Sequence, residues 1–196
     1  MATTHSQSRV GYAPAPGTYA LDSTHSYVSF TARHLMVTKV RGRFPVTAGE
    51  LTIGEDPSQS SVTATIDLSA VESGDPKRDE HLRSADFFDA ANYPTMHFVS
   101  KQIVGDVTKD FQIIGDLTIR GTTHEVGLDA HLEGRGKDPW GNERAGFSLS
   151  GKVNRHDYGL QWNQALEAGG VAVGAEVKIT IDVEIFHKIE ALSAAA

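Results

Sequence analysis

The strongest constraint on this chain is a period of two. From Ala175 to Ile185, Val177, Ile179, Ile181, Val183 and Ile185 alternate with Glu176, Lys178, Thr180, Asp182 and Glu184. Successive side chains of a strand point to opposite faces, so the pattern predicts a strand with one face in a core and one in water. The alternation recurs. Val28, Phe30, Ala32 and His34 share one face, as do Val62, Ala64 and Ile66, and then Met96, Phe98 and Ser100. Further on, Leu117 and Ile119, then Val126, Leu128 and Ala130, then Ala145, Phe147, Leu149, Gly151 and Val153 repeat it. Short strands are also expected at Thr18 to Asp22, Arg41 to Val46 and Glu50 to Ile53, the last two joined by a turn at Thr47-Ala48-Gly49. Gly54 to Ser60, Gly121-Thr122-Thr123 and Glu133 to Asn142 read as turns or loops, and Gln161 to Gly174 as a long irregular connection. Strands at this spacing predict a mainly β, antiparallel meander. Alternation alone leaves barrel and sandwich open. Small inward residues such as Ala32, Ala64 and Ala130 leave room for a ligand, or for the larger side chains that face them.

One passage breaks the period. Asp75 is a good N-cap and Pro76 suits the first helical position, so a helical segment is expected over about residues 75–92. Leu82 and Ala85 give it a thin apolar face, and Asp86 is placed to cap a second short turn carrying Phe87 and Phe88. Asn92-Tyr93-Pro94 ends it, because the residue before proline is pushed out of the α region.

The chain's 196 residues suit one domain with a sizeable core. It has no cysteine, which excludes disulfides and thiol catalysis. With 18 basic and 25 acidic residues the net charge is −7. That argues against a nucleic-acid surface and against charge-driven docking on anionic lipid. No stretch of about 20 apolar residues is present to span a membrane. Met1 to Gly17 holds no apolar run of a signal peptide, so a cytoplasmic location is expected.

Several residues carry groups that could do chemistry. His34 falls on the Phe30 face and would point inward, as a donor to a ligand head group or as a histidine satisfied by a neighbouring strand. His25, in Asp22-Ser23-Thr24-His25-Ser26, is expected to fix its own turn. Arg78 and Arg83, with Asp79, lie on the helix; they are head-group candidates, because arginine binds phosphate bidentately, with a solvated helix face as the plainer reading. Arg155 and Asp157 read as an ion pair fixing a strand bend. The nine histidines show no metal-ligand spacing, and Gly146-Phe147-Ser148-Leu149-Ser150 fails the nucleophile-elbow pattern. Neither a metal nor catalytic residues are therefore expected.

Taken in order, several blocks resemble the YceI-like proteins. They are Asp22-Ser23-Thr24-His25-Ser26 with Phe30 and His34; Val40-Arg41-Gly42-Arg43-Phe44; and Lys77 to Asp89 with Tyr93-Pro94 and Phe98. Gly115 to Thr123, Ala145-Gly146-Phe147 and Asn154 to Leu160 complete the series, which runs from about Thr18 to His187. The resemblance implies an eight-stranded, lipocalin-like antiparallel barrel with the helical segment packed across it. It would span residues 17–188, between a disordered arm at 1–16 and a frayed tail at 189–196. It also implies a hydrophobic cavity for a long isoprenoid-type or acyl lipid: polyprenyl phosphate or pyrophosphate, a quinone tail, or a fatty amide. Such proteins bind rather than catalyse, with no cofactor beyond the bound lipid. Carriage, storage and stress response are the implied roles. Many carry a signal peptide, and this sequence departs from them there. The residues expected to line the cavity are Val28, Phe30, His34 and Phe44; Ile66, Leu82, Phe87 and Phe88; Met96, Phe98, Leu117 and Ile119; Leu128, Phe147, Leu149 and Val153; and Trp162 and Ile179. Two rivals stand beside this reading: an enzyme acting on a quinone or isoprenoid with His34 as acid or base, and a filled barrel working through protein contacts, including as a homodimer.

Overall fold

The computed structural model describes residues 14–165 and 170–187. The expected arm at 1–16 lies almost wholly outside them, and the tail at 189–196 entirely so. Nine strand segments form one antiparallel sheet: β1 (Gly17–Leu21), β2 (Tyr27–His34), β3 (Thr38–Ile53), β4 (Ser61–Asp67), β5 (Thr95–Gly105), β6 (Asp110–Ile119), β7 (Thr122–Lys137), β8 (Glu143–Asn154) and β9 (Val173–His187). Consecutive strands pair from β2 round to β9, and β9 pairs back with β2, which closes the barrel. β1 and β2 share one position. β2 pairs with Thr38–Pro45 of β3 and β1 with Glu50–Ile53, while β9 pairs with both. The result is a closed eight-stranded barrel, and closure removes most of the free edge that an open sheet must protect.

Three expectations need correction. Arg41–Val46 and Glu50–Ile53 are one sixteen-residue strand, with no turn at Thr47-Ala48-Gly49. The break in alternation there is a β-bulge, where the register with β4 shifts between Val46 and Ala48. A bulge bends and twists a strand, which lets β3 follow the barrel from β2 to β1. Glu133 to Lys137 is strand rather than loop, and the turn is confined to residues 138–142. Glycines did not end that strand because β8 continues to pair with them, Gly134 opposite Gly146 and Gly136 opposite Arg144. The helix α1 is only Pro76–Arg83, and residues 84–92 are turns. Its N-cap is as expected, with the Asp75 carboxylate accepting the Lys77 and Arg78 N–H groups. Asp86 caps nothing; its carboxylate pairs with His81 Nε2 at 2.8 Å.

The Gly121 signal marks a two-residue hairpin. Arg120 and Gly121 have φ of 51° and 72°, the left-handed pair whose twist suits adjoining strands. At the β2–β3 turn the same region is taken by Leu35 and Met36, at φ of 52° and 58°. Left-handed backbone costs a side-chain-bearing residue about 1–2 kcal/mol. In the middle of the wall, Gly42 faces Phe30 across the β2–β3 pair, and a Cβ there would lie 2.5 Å from the Phe30 ring. The glycine of Val40-Arg41-Gly42-Arg43-Phe44 is therefore the space that lets Phe30 lie flat on the inner wall.

Burial is most complete at the two ends, although Phe44, Val46, Ile66 and Leu128 are also buried on the wall. Tyr19, Ser26 and Ile185 are fully buried at one end, Leu68 and Tyr158 at the other. Between them Val177, Ile179, Ile181 and Val183 face the axis of the barrel yet are only half-buried. Residues that point into a core and still have free surface line a space, so the barrel is not filled.

At the far end, Arg144 of β8 holds the closure. Its Nη1 donates to Asp22 Oδ2 at 2.7 Å and to Glu184, and its Nε to Asp138 Oδ2 at 3.0 Å. Burial pushes the Asp22 carboxyl up, but hydrogen bonds from Thr24, Arg144 and His25 outweigh it and hold it well below the usual carboxylate range. The side chain of Asn142, with help from Arg144 and two backbone N–H groups, brings Asp138 down to about 2 against its burial. A carboxyl with a lower pKa folded than unfolded binds fewer protons in the fold. Its stabilisation is full above the unfolded value of about 4 and drains as pH falls through the folded one. Urea unfolding midpoints should therefore drop from about pH 4 down to about pH 2. Arg144→Met should make that drop shallower; parallel curves would contradict this assignment.

Candidate functional site

The barrel encloses a cavity of about 550 Å³, inside the range of about 300–1,000 Å³ usual for ligand pockets. Its wall is almost wholly apolar. β2 supplies Val28, Phe30 and His34, β3 Phe44, and β4 Ile66. Met96 and Phe98 come from β5, Leu117 and Ile119 from β6, and Leu128 from β7. Phe147, Leu149 and Val153 of β8 and Ile179 of β9 complete the ring. The alternation thus brings together the residues it placed inward.

One end is capped by two segments that leave the sheet. The first runs from β4 through α1 to β5 and puts Leu82, Phe87 and Phe88 over the opening. It is strapped to β3 by a two-bond bridge between Arg43 and Glu72, and their side chains pair at 2.8 Å. The second begins with a single 3-10 turn at Arg155–Tyr158 and carries Leu160 and Trp162 inward. The two are stitched together by aromatic edges. The His81 ring stands 5.0 Å from Phe87 and 4.7 Å from Trp162, both edge-on. Arg120, from the β6–β7 turn, donates to the carbonyls of Phe87 and Gly159 and so ties both segments to the barrel.

Arg155 is the least expected part of this cap. It is 4% exposed, and the ion pair with Asp157 does not form. Its guanidinium instead donates to four backbone carbonyls: Gly174 at 3.0 Å, Trp162 at 2.9 Å, Val173 at 3.4 Å and Leu160. A carboxylate would take up only the side of the guanidinium that faces it, whereas the five N–H groups of arginine can reach several backbone carbonyls at once. Burial lowers its pKa. Beside it, the hydroxyl of Tyr158 is buried with no partner among the described residues, and burial, then Asp157, pushes its pKa up to about 12.

The polar groups at the opening are few. His34 lines the cavity, and among the described residues its ring has no hydrogen-bond partner. Arg78 also lines it; its Nε donates to Ser73 Oγ at 2.8 Å and its Nη2 to Ser73 O at 2.7 Å. Arg83 is not part of the lining, so the expected cationic pair is a single arginine. His25 fixes its turn as expected, with Nδ1 3.0 Å from Asp22 Oδ2. His25, Asp22 and Glu184 are the one histidine–acid group among the described residues with ligand atoms within 4.8 Å of one another, and Arg144 already supplies its cation. Leu51, Ile103, Phe111 and Ile113 also line the cavity from strands and stood outside the expected set. His81, Arg155, Leu35 and Gln164 were missed as well. None of these last four lies on an alternating strand face, so periodicity held no signal for them.

A closed antiparallel barrel with a capped, continuous apolar chamber is the architecture of a lipocalin-like protein. The YceI-like domain model matches residues 19–185, and the chain belongs to that family. A UPF0312 protein of Staphylococcus epidermidis is 40% identical over 169 residues, covering 85% of this chain and 95% of the relative. A UPF0312 protein of Staphylococcus aureus is 36% identical over 171 residues with the same coverage. Among solved structures, the YCEI protein of Campylobacter jejuni superposes with a TM-score of 0.65 at 31% identity, over 80% of this chain and 90% of that one. A domain of Saccharophagus degradans described as polyisoprenoid-binding superposes with a TM-score of 0.60 at 16% identity, over 86% and 98%. No helix among the described residues is long and apolar enough to cross a membrane.

Proposed function

We propose that the protein holds one long apolar chain, of isoprenoid or acyl type, along the barrel axis, with the polar head at the capped end near Arg78. The cavity carries the reading: about 550 Å³ with an almost wholly hydrocarbon wall. Each buried CH₂ contributes about 0.8 kcal/mol. A long tail therefore needs few polar contacts, and the chamber tolerates several tails, including that of a quinone. The Saccharophagus domain of the same fold, described as binding polyisoprenoid, supports the choice of tail. The isolation of the His34 ring favours a binding role over acid–base chemistry, since a working base is oriented by a partner. Carriage, storage and stress response are all uses of a held lipid.

Tryptophan fluorescence tests it. The chain has two tryptophans. Trp162 lines the cavity, whereas Trp140 is 81% exposed on the β7–β8 turn. In Trp140→Phe, a detergent-solubilised polyprenol should change the Trp162 emission with saturation at one equivalent. A flat titration with polyprenol, ubiquinone and fatty amide alike would overturn the reading.

A further inference from the structure

An apolar ligand that is nearly insoluble in water has to be collected from, or delivered to, a membrane. The lining residues that are exposed to solvent mark where the cavity opens. They are Arg33, Leu35 and Gln164, all at the capped end and grouped around the β2–β3 turn. This turn is built against the usual rules. Leu35, Met36 and Val37 occupy it in sequence, at 40%, 57% and 77% exposure. Val171, 37% exposed, lies on the neighbouring segment, which joins the turn through the Leu35 N–H to Ala172 O bond at 2.9 Å. Left-handed turn positions favour glycine, asparagine and aspartate. Here they hold leucine and methionine, with the apolar side chains directed outward. The cluster is continuous with the cavity, because Leu35 belongs to both.

The charges around the turn are segregated. Arg33 and Lys39 face each other across the β2–β3 pair, and Thr31 lies between Arg41 and Lys178 on the flanking strands. All four cations are exposed, and among the described residues none has a carboxylate partner. Glu176, two residues before Lys178 on β9, pairs with Lys152, and Glu72, bridged to β3, pairs with Arg43. The net charge of −7 therefore resides elsewhere on the molecule. At physiological salt a charge is felt over about 8 Å, so a surface meets this cationic corner rather than the whole protein. The expectation that an acidic chain avoids anionic lipid was drawn from the net charge, which averages over the molecule and does not describe this corner.

We propose that the β2–β3 turn is a membrane-docking tip. Met36, Val37 and Leu35 enter the headgroup region of an anionic bilayer, while Arg33, Lys39, Arg41 and Lys178 bind its phosphates, and the cavity mouth opens against the lipid. This deepens the lipid-holding reading and rests on it, but its test is independent of uptake. Interfacial anchoring combines buried apolar area with attraction to anionic lipid, the two components found here. The exposed Trp140 lies at the opposite end, on the β7–β8 turn, and takes no part.

Co-sedimentation with vesicles tests the tip. The wild-type chain should partition onto phosphatidylcholine vesicles containing phosphatidylglycerol and only weakly onto phosphatidylcholine alone. It should dissociate as salt rises from about 0.1 M to about 1 M, where screening shortens from about 10 Å to about 3 Å. Lys39→Gln and Arg41→Gln should each weaken binding about fivefold, the equivalent of about 1 kcal/mol per basic residue at an anionic surface. The double variant Met36→Asn, Val37→Ser should keep the fold, because asparagine suits the left-handed position of Met36 and Val37 is 77% exposed. It should lose vesicle binding by about tenfold or more while its Trp162 response to solubilised polyprenol is unchanged. Equal binding to both vesicle types, or no effect of these substitutions, would overturn the proposal and leave the cations as guards of the β3 edge. Self-association that Met36→Asn abolishes would make the tip an interface between two copies, and would also overturn it. If vesicle binding holds and polyprenol gives no Trp162 response in any variant, the cavity reading fails instead.

Discussion

Ile181→Trp should leave the protein folded and eliminate lipid uptake. Ile181 lies at mid-barrel on β9, between Val28 of β2 and Leu149 of β8. It points to the axis and is half-buried because it borders the cavity. In a filled core the added ring would force off-rotamer side chains and cost about 1–3 kcal/mol. In a hollow barrel it enters free space and gains apolar burial. Thermal unfolding together with a polyprenol titration read by native mass spectrometry separates the two cases, since Ile181→Trp puts a second tryptophan in the cavity alongside Trp162. Retained or raised stability with at least about a hundredfold loss of polyprenol binding is the expected pair of results, because the tail loses the middle of its channel. A strongly destabilised Ile181→Trp would mean that the barrel interior is packed. Phe147→Asp should also end uptake, but it removes a core ring at the same time, so the tryptophan variant is the cleaner test.

Arg155→Ala should be the most destabilising single change outside the barrel wall. It leaves the carbonyls of Leu160, Trp162, Val173 and Gly174 without their donor and unties the second capping segment from β9. Bonds from a charged donor contribute about 1.5–3 kcal/mol each and are not additive, so a total of about 3–5 kcal/mol is expected by urea unfolding. Arg155→Lys should recover little, because one ammonium cannot span four carbonyls arranged around a planar fork. The effect on the cap should be visible separately, as a red shift of Trp162 emission in conditions where the barrel is still folded. A loss below about 1 kcal/mol would show that the segment is held by its aromatic contacts with His81 and Phe87 instead.

The sequence showed the wall of the barrel more plainly than its cap. Strand faces repeat every two residues, so Val28, Phe30, Leu117, Phe147 and Ile179 could be placed on one inner surface before any pairing was known. The bulge at Val46 hid the continuity of β3, because an inserted residue inverts the alternation and looks like a turn. The glycines of Glu133 to Lys137 misled in the same way, since pairing with β8 overrides their local preference. Beyond the strands the signal is non-local. Nothing near Arg155 in sequence announces that its donors meet carbonyls up to 19 residues away. His81 meets Trp162 only because two separate excursions from the sheet converge on one opening. The exposed Leu35-Met36-Val37 turn was legible as residues but not as a feature, because its exposure and its cationic neighbours belong to the folded surface.

Native mass spectrometry of the protein, taken before and after incubation with solubilised polyprenol, ubiquinone and fatty amide, tests the central claim most directly. The account predicts one bound chain per barrel for at least one of these, either carried through purification or taken up on addition, and its absence in Ile181→Trp. A bare protein mass under every condition, with Ile181→Trp as bare and strongly destabilised, would contradict it.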